Sequence, residues 1–112
     1  MASANLILKR GDDFKVIVSL TTDGTALDLT NYTADAQVRA TPDSVEILAS
    51  FDVTINTPAT AGIIEMVLTH DITADLTDGV WDLQLTRTTD DWITTVAGGT
   101  LTVTTDVTRL TP

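Results

Sequence analysis

The feature that most constrains the fold is an alternation of apolar and polar residues along several segments of the chain. It occurs in residues 14–20, 34–38 and 81–85, and it is longest in residues 45–55. Successive side chains of a β-strand point to opposite faces, so this period predicts strands with one buried and one solvent face. Residues 63–68 are more continuously apolar, which is typical of a central strand.

Turn signals separate these segments at intervals of about 8–12 residues. They are Asp23-Gly24, Thr41-Pro42-Asp43, Pro58 to Gly62, Asp78-Gly79, Asp90-Asp91 and Gly98-Gly99. Threonine, which suits sheets better than helices, supplies about a fifth of the residues. The sequence therefore predicts an all-β sandwich or barrel of about seven or eight antiparallel strands, in a single domain spanning residues 1–112.

Two local predictions complete this picture. Gly98-Gly99 is expected to form a tight hairpin between strands at 92–96 and 100–104, because glycine readily adopts positive φ angles. One short helical turn is expected near residues 71–78. There Asp71 would cap the helix, Ile72 and Leu76 would be buried, and Gly79 would end it.

The tripeptide Arg10-Gly11-Asp12 matches an integrin-binding sequence. It lies between a first short strand, residues 6–9, and a second strand that begins at Phe14. Gly11 there permits a bulge or a switch between sheets. The more economical interpretation is therefore a join between two strands rather than a recognition loop.

Composition excludes several classes of function. Six basic and sixteen acidic residues give a formal charge of −10, which repels a nucleic-acid backbone. Cysteine is absent, so there is no disulfide framework and no thiolate site. The N-terminal apolar run is too short for a signal peptide, and no window is long enough for a membrane span. A soluble protein without nucleic-acid or membrane partners is expected.

The sequence gives catalysis no support. His70 is the only histidine, and Glu65 is the one acid in an apolar context, where alternation can simply point it outward. There is no phosphate-binding glycine loop and no G-x-S-x-G motif. We therefore expect no enzyme activity and no cofactor. No D-x-D-x-D-G loop is present either, although calcium binding by an Asp-rich loop stays open.

Trp92 has two interpretations. It follows Asp90-Asp91 near the end of an expected hairpin loop, where a large aromatic residue can anchor a protein interface or pack over the end of the core. The candidate interface residues are Trp92 and Ile93 at this loop, with Leu6 and Leu8 of the first strand. Trp81, inside an alternating row, is expected in the core.

Several segments, in their order and spacing, resemble small virion proteins of tailed phages. In that family a G-D-x-F/L strand, a D-G-x-P-x-D-L-T-G connection and a strand ending in Q-x-R follow one another. This chain has Ala26 where the family often has Pro and Asn31 where it often has Gly. The matching segments are Gly11-Asp12-Asp13-Phe14, residues 23–33, Gln37-Val38-Arg39, residues 79–85, residues 99–103 and residues 106–109.

The family includes the N-terminal domains of phage baseplate upper proteins and fibre-attachment proteins. The resemblance implies an immunoglobulin-like β-sandwich located in the virion and assembled in the host cytoplasm. It also implies a non-enzymatic structural or docking role, with other phage structural proteins as partners in a homo-oligomer or symmetric assembly. The tail, baseplate or fibre-attachment region is the first expectation, and a capsid decoration protein is the second. A host-surface sandwich that binds carbohydrate or calcium is the third, with Trp92 and Tyr32 as its aromatic candidates.

Overall fold

A computed structural model of the protein describes residues 2–104. Within this range it contains eleven strands, seven of which have four residues or more. The strands are β1 (Ala2–Ser3), β2 (Leu6–Lys9), β3 (Phe14–Ser19), β4 (Thr21–Thr22), β5 (Thr25–Ala26), β6 (Tyr32–Arg39), β7 (Ala49–Ser50), β8 (Asp52–Ile55), β9 (Ile63–Leu68), β10 (Gly79–Arg87) and β11 (Ile93–Thr104). A single helical turn, α1 (His70–Thr73), lies between β9 and β10, and a 3-10 turn occupies Ala59–Ala61.

The strands form two main sheets. The larger sheet has the order β1-β11-β10-β6-β7, with β2 also paired to β11, and the smaller has the order β3-β9-β8. If the long strands from β3 onward are lettered B to G, the sheets read G-F-C and B-E-D, as in immunoglobulin domains. The fold is thus the expected all-β, immunoglobulin-like sandwich. It differs in its first strands, because β1 and β2 pair parallel with β11 rather than with β3.

The core lies between the two sheets. Alternate residues of β10 (Trp81, Leu83, Leu85) face alternate residues of β9 (Ile64, Met66, Leu68), and all six are buried. The β3 row predicted from alternation, which ends at Leu20, packs on the same cluster. Glu65 points away from the core, as expected, and its carboxylate lies 3.2 Å from the Lys15 ammonium.

The alternating segment 45–55 is not one strand. Val45 is 95% exposed, and pairing with β6 begins only where the Leu48 N–H donates to the Val38 carbonyl. Residues before it form a loop, in which the Arg39 guanidinium donates to the Ser44 carbonyl at 2.9 Å. From Ala49 onward the alternation holds, and the chain crosses from the larger sheet to the smaller at Phe51. The prediction was therefore wrong for Val45 and Ile47.

Gly98-Gly99 does not form a hairpin, and this prediction was wrong as well. Both glycines lie in the middle of β11, which runs unbroken from Ile93 to Thr104, and neither has a positive φ. The two glycines allow neighbouring backbone segments to lie close to β11. A Cβ on Gly99 would overlap the Ala4 carbonyl, and one on Gly98 would lie 3.0 Å from the Trp81 carbonyl oxygen. The hairpin instead closes through residues 88–92, where Asp90-Asp91 was the predicted turn.

The helical turn is shorter than predicted and begins earlier. Its N-cap is Thr69, whose side chain makes no capping bond, and it ends at Thr73. Ile72 is exposed, so the prediction that it would be buried was wrong, whereas Thr73 and Leu76 are buried. Gly79 begins β10 and does not cap a helix. The face of the turn that carries Thr73 is the buried one, because the Thr73 hydroxyl is hydrogen-bonded to the loop between β2 and β3.

Two turns contain residues with positive φ angles. Asp23 and Gly24 both have positive φ, at 53° and 79°, as the hairpin joining β4 and β5 requires. Asn31 has φ of 68°, a conformation that glycine and asparagine tolerate best. Asn31 thus serves where the resembling family often has Gly.

Candidate assembly interface

The hairpin between β10 and β11 presents two large apolar side chains to solvent. Trp92 is 64% exposed and Ile93 is 61% exposed. Ile93 pairs with Thr86 and so faces outward from the larger sheet. We call Trp92 and Ile93 the hairpin tip. Trp92 is not among the residues that pack on the core cluster, and its role as an interface anchor stays a prediction.

The loop that carries the hairpin tip is held by a dense set of hydrogen bonds. The Arg87 guanidinium makes a two-pronged contact with the Asp90 carboxylate, at 2.9 and 3.0 Å. The Arg87 N–H donates to the Trp92 carbonyl, and the Trp92 N–H donates to Asp90 Oδ1 at 3.3 Å. Thr88 donates to the Asn31 carbonyl from both its N–H and its hydroxyl, which ties the loop to the start of β6.

Electrostatics reinforces this loop conformation. The hydrogen bond from Arg87 holds the pKa of Asp90 below its usual range, and Asp90 in turn raises the pKa of Arg87. Both side chains are exposed, so the pair adds little to global stability. The pair instead holds the loop in one conformation. A loop that is already ordered loses less conformational entropy when a partner binds it.

The first strand contributes differently from the sequence prediction. Leu8 is only 3% exposed and packs in the core, whereas Leu6 is partly buried against it. Ile7, between them, is 68% exposed. Because Leu8 is covered within the chain, the outward apolar residue of β2 is Ile7. Its phase with Lys9 was the signal in the sequence that could have identified it.

The Arg10-Gly11-Asp12 loop lies between β2 and β3, as expected, and is anchored to the helical turn. The Gly11 N–H donates to the Thr73 hydroxyl at 3.1 Å, and that hydroxyl donates to the Asp12 carbonyl at 2.8 Å. Arg10 Nε donates to the Leu76 carbonyl at 3.4 Å. Gly11 has φ of 89°, which the join requires. These contacts give the tripeptide a structural role as the switch between the sheets.

This anchor predicts a specific loss of stability in Thr73→Val. Valine keeps the shape of threonine but leaves the Gly11 N–H and the Asp12 carbonyl without their hydroxyl partner, which costs about 1–3 kcal/mol. Thr73→Ser retains the hydroxyl and serves as the matched control. Urea unfolding measures both, and equal midpoints for the Val and Ser variants would contradict the anchor.

His70 joins the same end of the sandwich through Asp13. The Asp13 carboxylate accepts from the His70 N–H at 2.7 Å and lies 2.9 Å from His70 Nδ1. Asp71 lies 3.4 Å from His70 Nε2. The Asp13 hydrogen bond, then the charges of Asp71 and Asp13, raise the pKa of His70, and the bonds from His70 lower the pKa of Asp13.

These shifts predict how the contact depends on pH. A raised histidine pKa adds stability that is complete below the ordinary value of 6.5 and is lost as pH rises through the folded-state pKa. A lowered aspartate pKa adds stability above 3.8 that is lost on acidification. An NMR titration of His70 should give a lower midpoint in Asp13→Asn than in the native chain. Asp23→Asn, in the turn between β4 and β5 beyond the other end of β3, serves as control, and an unchanged midpoint in Asp13→Asn would disprove the contact.

Within residues 2–104, no group of three or more metal-ligating side chains comes together. None of the helices there has the length and apolarity needed to cross a membrane. The matching segment 106–109 lies outside the described residues.

Comparison with known proteins defines the fold. The sequence matches no protein-family model. It also has no significant match among curated proteins. In structure the chain is similar to the N-terminal domain of phage TP901-1 ORF48, with a TM-score of 0.59 and 8% sequence identity. The match covers 90% of this chain and 85% of that one. The protein has the fold of this phage domain.

Proposed function

We propose that this protein is a non-enzymatic structural module of a bacteriophage virion, most directly in the tail, baseplate or fibre-attachment region. The observation that carries this proposal is the hairpin tip: Trp92 and Ile93 are exposed at a hydrogen-bonded loop, on a fold shared with a phage protein domain. Exposed aromatic residues on a preorganised loop are the usual anchors of protein interfaces. The module therefore docks onto a neighbouring structural protein through this tip.

Residues 2–104 offer little that points to a different class of function. A glycan-binding site would place Trp92 and Tyr32 around a common groove. The larger sheet has a groove lined by residues of β6, β10 and β11, but neither of these two aromatic residues lines it. Paired catalytic acids need a shared pocket that perturbs their pKa values. The acids with shifted pKa values, Asp13, Asp28 and Asp90, are instead exposed and paired with local groups.

Substitution of the tip tests the proposal. We expect Trp92→Ser to lower incorporation into phage particles about tenfold or more, since truncation of an interface hot spot costs 2 kcal/mol or more of binding. The free energy of unfolding should change by less than about 0.5 kcal/mol, because the side chain is on the surface. Quantitative mass spectrometry of purified particles measures incorporation.

The matched control is Ile17→Ser. Ile17 is 60% exposed and lies on β3 of the smaller sheet, away from the hairpin tip. Its substitution should leave incorporation unchanged. Normal incorporation of the Trp92 variant, or an equal defect in the Ile17 variant, would refute docking through the tip.

A further inference from the structure

A groove of about 840 Å³ crosses the outer face of the larger sheet. Its floor is formed by β6, β10 and β11, and Pro42 of the loop before β7 contributes to one wall. Gly98 and Gly99 of β11 also line the groove, and Gly98, which pairs with Asp82, has no side chain to fill it. The rest of its lining is mainly polar, with Asp35, Gln37, Asp82, Gln84 and Thr95.

The strand register fixes the relation of these polar side chains. Asp82 of β10 lies between Gln37 of β6 and Gly98 of β11, and the next outward residue, Gln84, lies beside Asp35. Asp35 and Asp82 are therefore diagonal neighbours on adjacent strands. Diagonal positions in an antiparallel pair lie roughly 7–8 Å apart.

The two carboxylates of the groove are not neutralised by residues 2–104. Within this part of the chain, neither the Asp35 nor the Asp82 carboxylate makes a hydrogen bond or an ion pair. Arg39 also lines the groove, but its guanidinium donates to the Ser44 carbonyl at 2.9 Å and to Gln37 Oε1 at 3.0 Å. The cation is thus engaged at the loop end, and the carboxylates face solvent in a chain of formal charge −10.

We propose that this groove binds an extended, basic segment of a partner protein, with two cationic side chains placed on Asp35 and Asp82. Alternate residues of an extended chain lie on one face and repeat at roughly 6.8 Å, which is close to the roughly 7–8 Å expected between diagonal strand positions such as those of Asp35 and Asp82. Arginine fits best, because its guanidinium bonds a carboxylate with two parallel hydrogen bonds. Gln37 and Gln84 supply amide groups for the backbone of the bound segment.

The lining favours a cationic peptide over a saccharide. The one aromatic residue in the lining is Trp81, which is 4% exposed and donates its indole N–H to the Ala4 carbonyl at 3.1 Å. No ring in the groove is therefore available for stacking against a sugar. Charge complementarity selects the occupant instead.

The test uses the full chain and the peptide Ac-Thr-Arg-Thr-Arg-Thr-NH2. At low ionic strength we expect the largest amide NMR shifts at Asp35, Asp82 and Gly98, with weaker binding as salt increases. The double variant Asp35→Asn/Asp82→Asn should raise the peptide Kd at least tenfold. The control Asp52→Asn/Asp75→Asn removes the same charge elsewhere and should change Kd less than twofold.

Three results would overturn the proposal. These are shifts centred outside the groove, equal weakening in the control double variant, and groove shifts caused by maltohexaose but not by the peptide. The proposal does not depend on docking through the hairpin tip. Trp92→Ser should bind the peptide with native affinity, so failure at the groove and failure at the tip are separate results.

Discussion

Trp81→Ala is expected to lower the free energy of unfolding by about 3–5 kcal/mol, the usual cost of truncating a buried tryptophan. Trp81 is 4% exposed, lies on β10 and belongs to the core cluster to which both sheets contribute. It meets Phe51 edge-to-face, with ring centroids 6.4 Å apart. Its indole N–H donates to the Ala4 carbonyl at 3.1 Å, which also fastens the N-terminal segment.

Chemical denaturation monitored by circular dichroism measures this loss. Trp81→Phe provides a graded comparison, because it keeps a large ring but leaves the Ala4 carbonyl without its donor. We expect it to cost about 1–3 kcal/mol, less than the alanine variant. A loss below about 1 kcal/mol in Trp81→Ala would show that this ring is not at the centre of the core.

The second large effect is expected at Gly62, which precedes β9. Its φ is 68°, and a Cβ there would lie 2.6 Å from the Leu20 carbonyl oxygen and 2.9 Å from that of Leu27. Backbone hydrogen bonds hold these segments together: the Leu20 N–H donates to the Gly62 carbonyl, and the Leu27 N–H donates to the Leu20 carbonyl. In Gly62→Ala, the left-handed backbone conformation should lower the free energy of unfolding by about 1–2 kcal/mol. Overlap of the new methyl group with these carbonyl oxygens should lower it by about 1–3 kcal/mol more.

Gly24→Ala separates the two contributions. Gly24 has φ of 79° but nothing within 4 Å of the position that a Cβ would take. Its substitution should therefore cost only the conformational part, about 1–2 kcal/mol. Unfolding midpoints of the two variants, measured under the same conditions, give the difference. Equal losses would contradict the close crossing at Leu20 and Leu27.

The sequence predicted the fold best where one face of a strand is buried and the other is wet. The rows at Phe14 to Leu20 and Trp81 to Leu85 fall on the core as expected, because period-two alternation reports the sheet face directly. The same signal failed at Val45 and Ile47. Alternation does not reveal whether a neighbouring strand is present, and Arg39 holds that stretch in a loop.

Other errors arose where tertiary contacts determine a residue's role. Gly98-Gly99 has the sequence of a turn, but both glycines serve to admit the Ala4 and Trp81 backbones beside β11. The predicted helical turn was expected to bury Ile72. The polar Thr73 next to it is the buried residue instead. Its partners are more than sixty positions away in the chain, so local sequence gives no sign of them.

The candidate interface was partly predictable. Trp92 stood out because a large aromatic residue beside two turn-forming aspartates can anchor an interface, although the sequence left packing over the end of the core equally open. Ile93 follows from the strand register, which turns it outward beside Thr86. The groove was not predicted, since Asp35 and Asp82 come together only when β6 pairs with β10.

Cryo-electron microscopy of purified particles of the phage that encodes this protein tests whether the chain docks in the virion through its hairpin tip. We expect density for a two-sheet sandwich at symmetry-related positions of the tail, baseplate or fibre-attachment region. Trp92 and Ile93 should be buried against a neighbouring structural protein. Particles that lack the chain, or that contain it with the hairpin tip facing solvent, would contradict the claim.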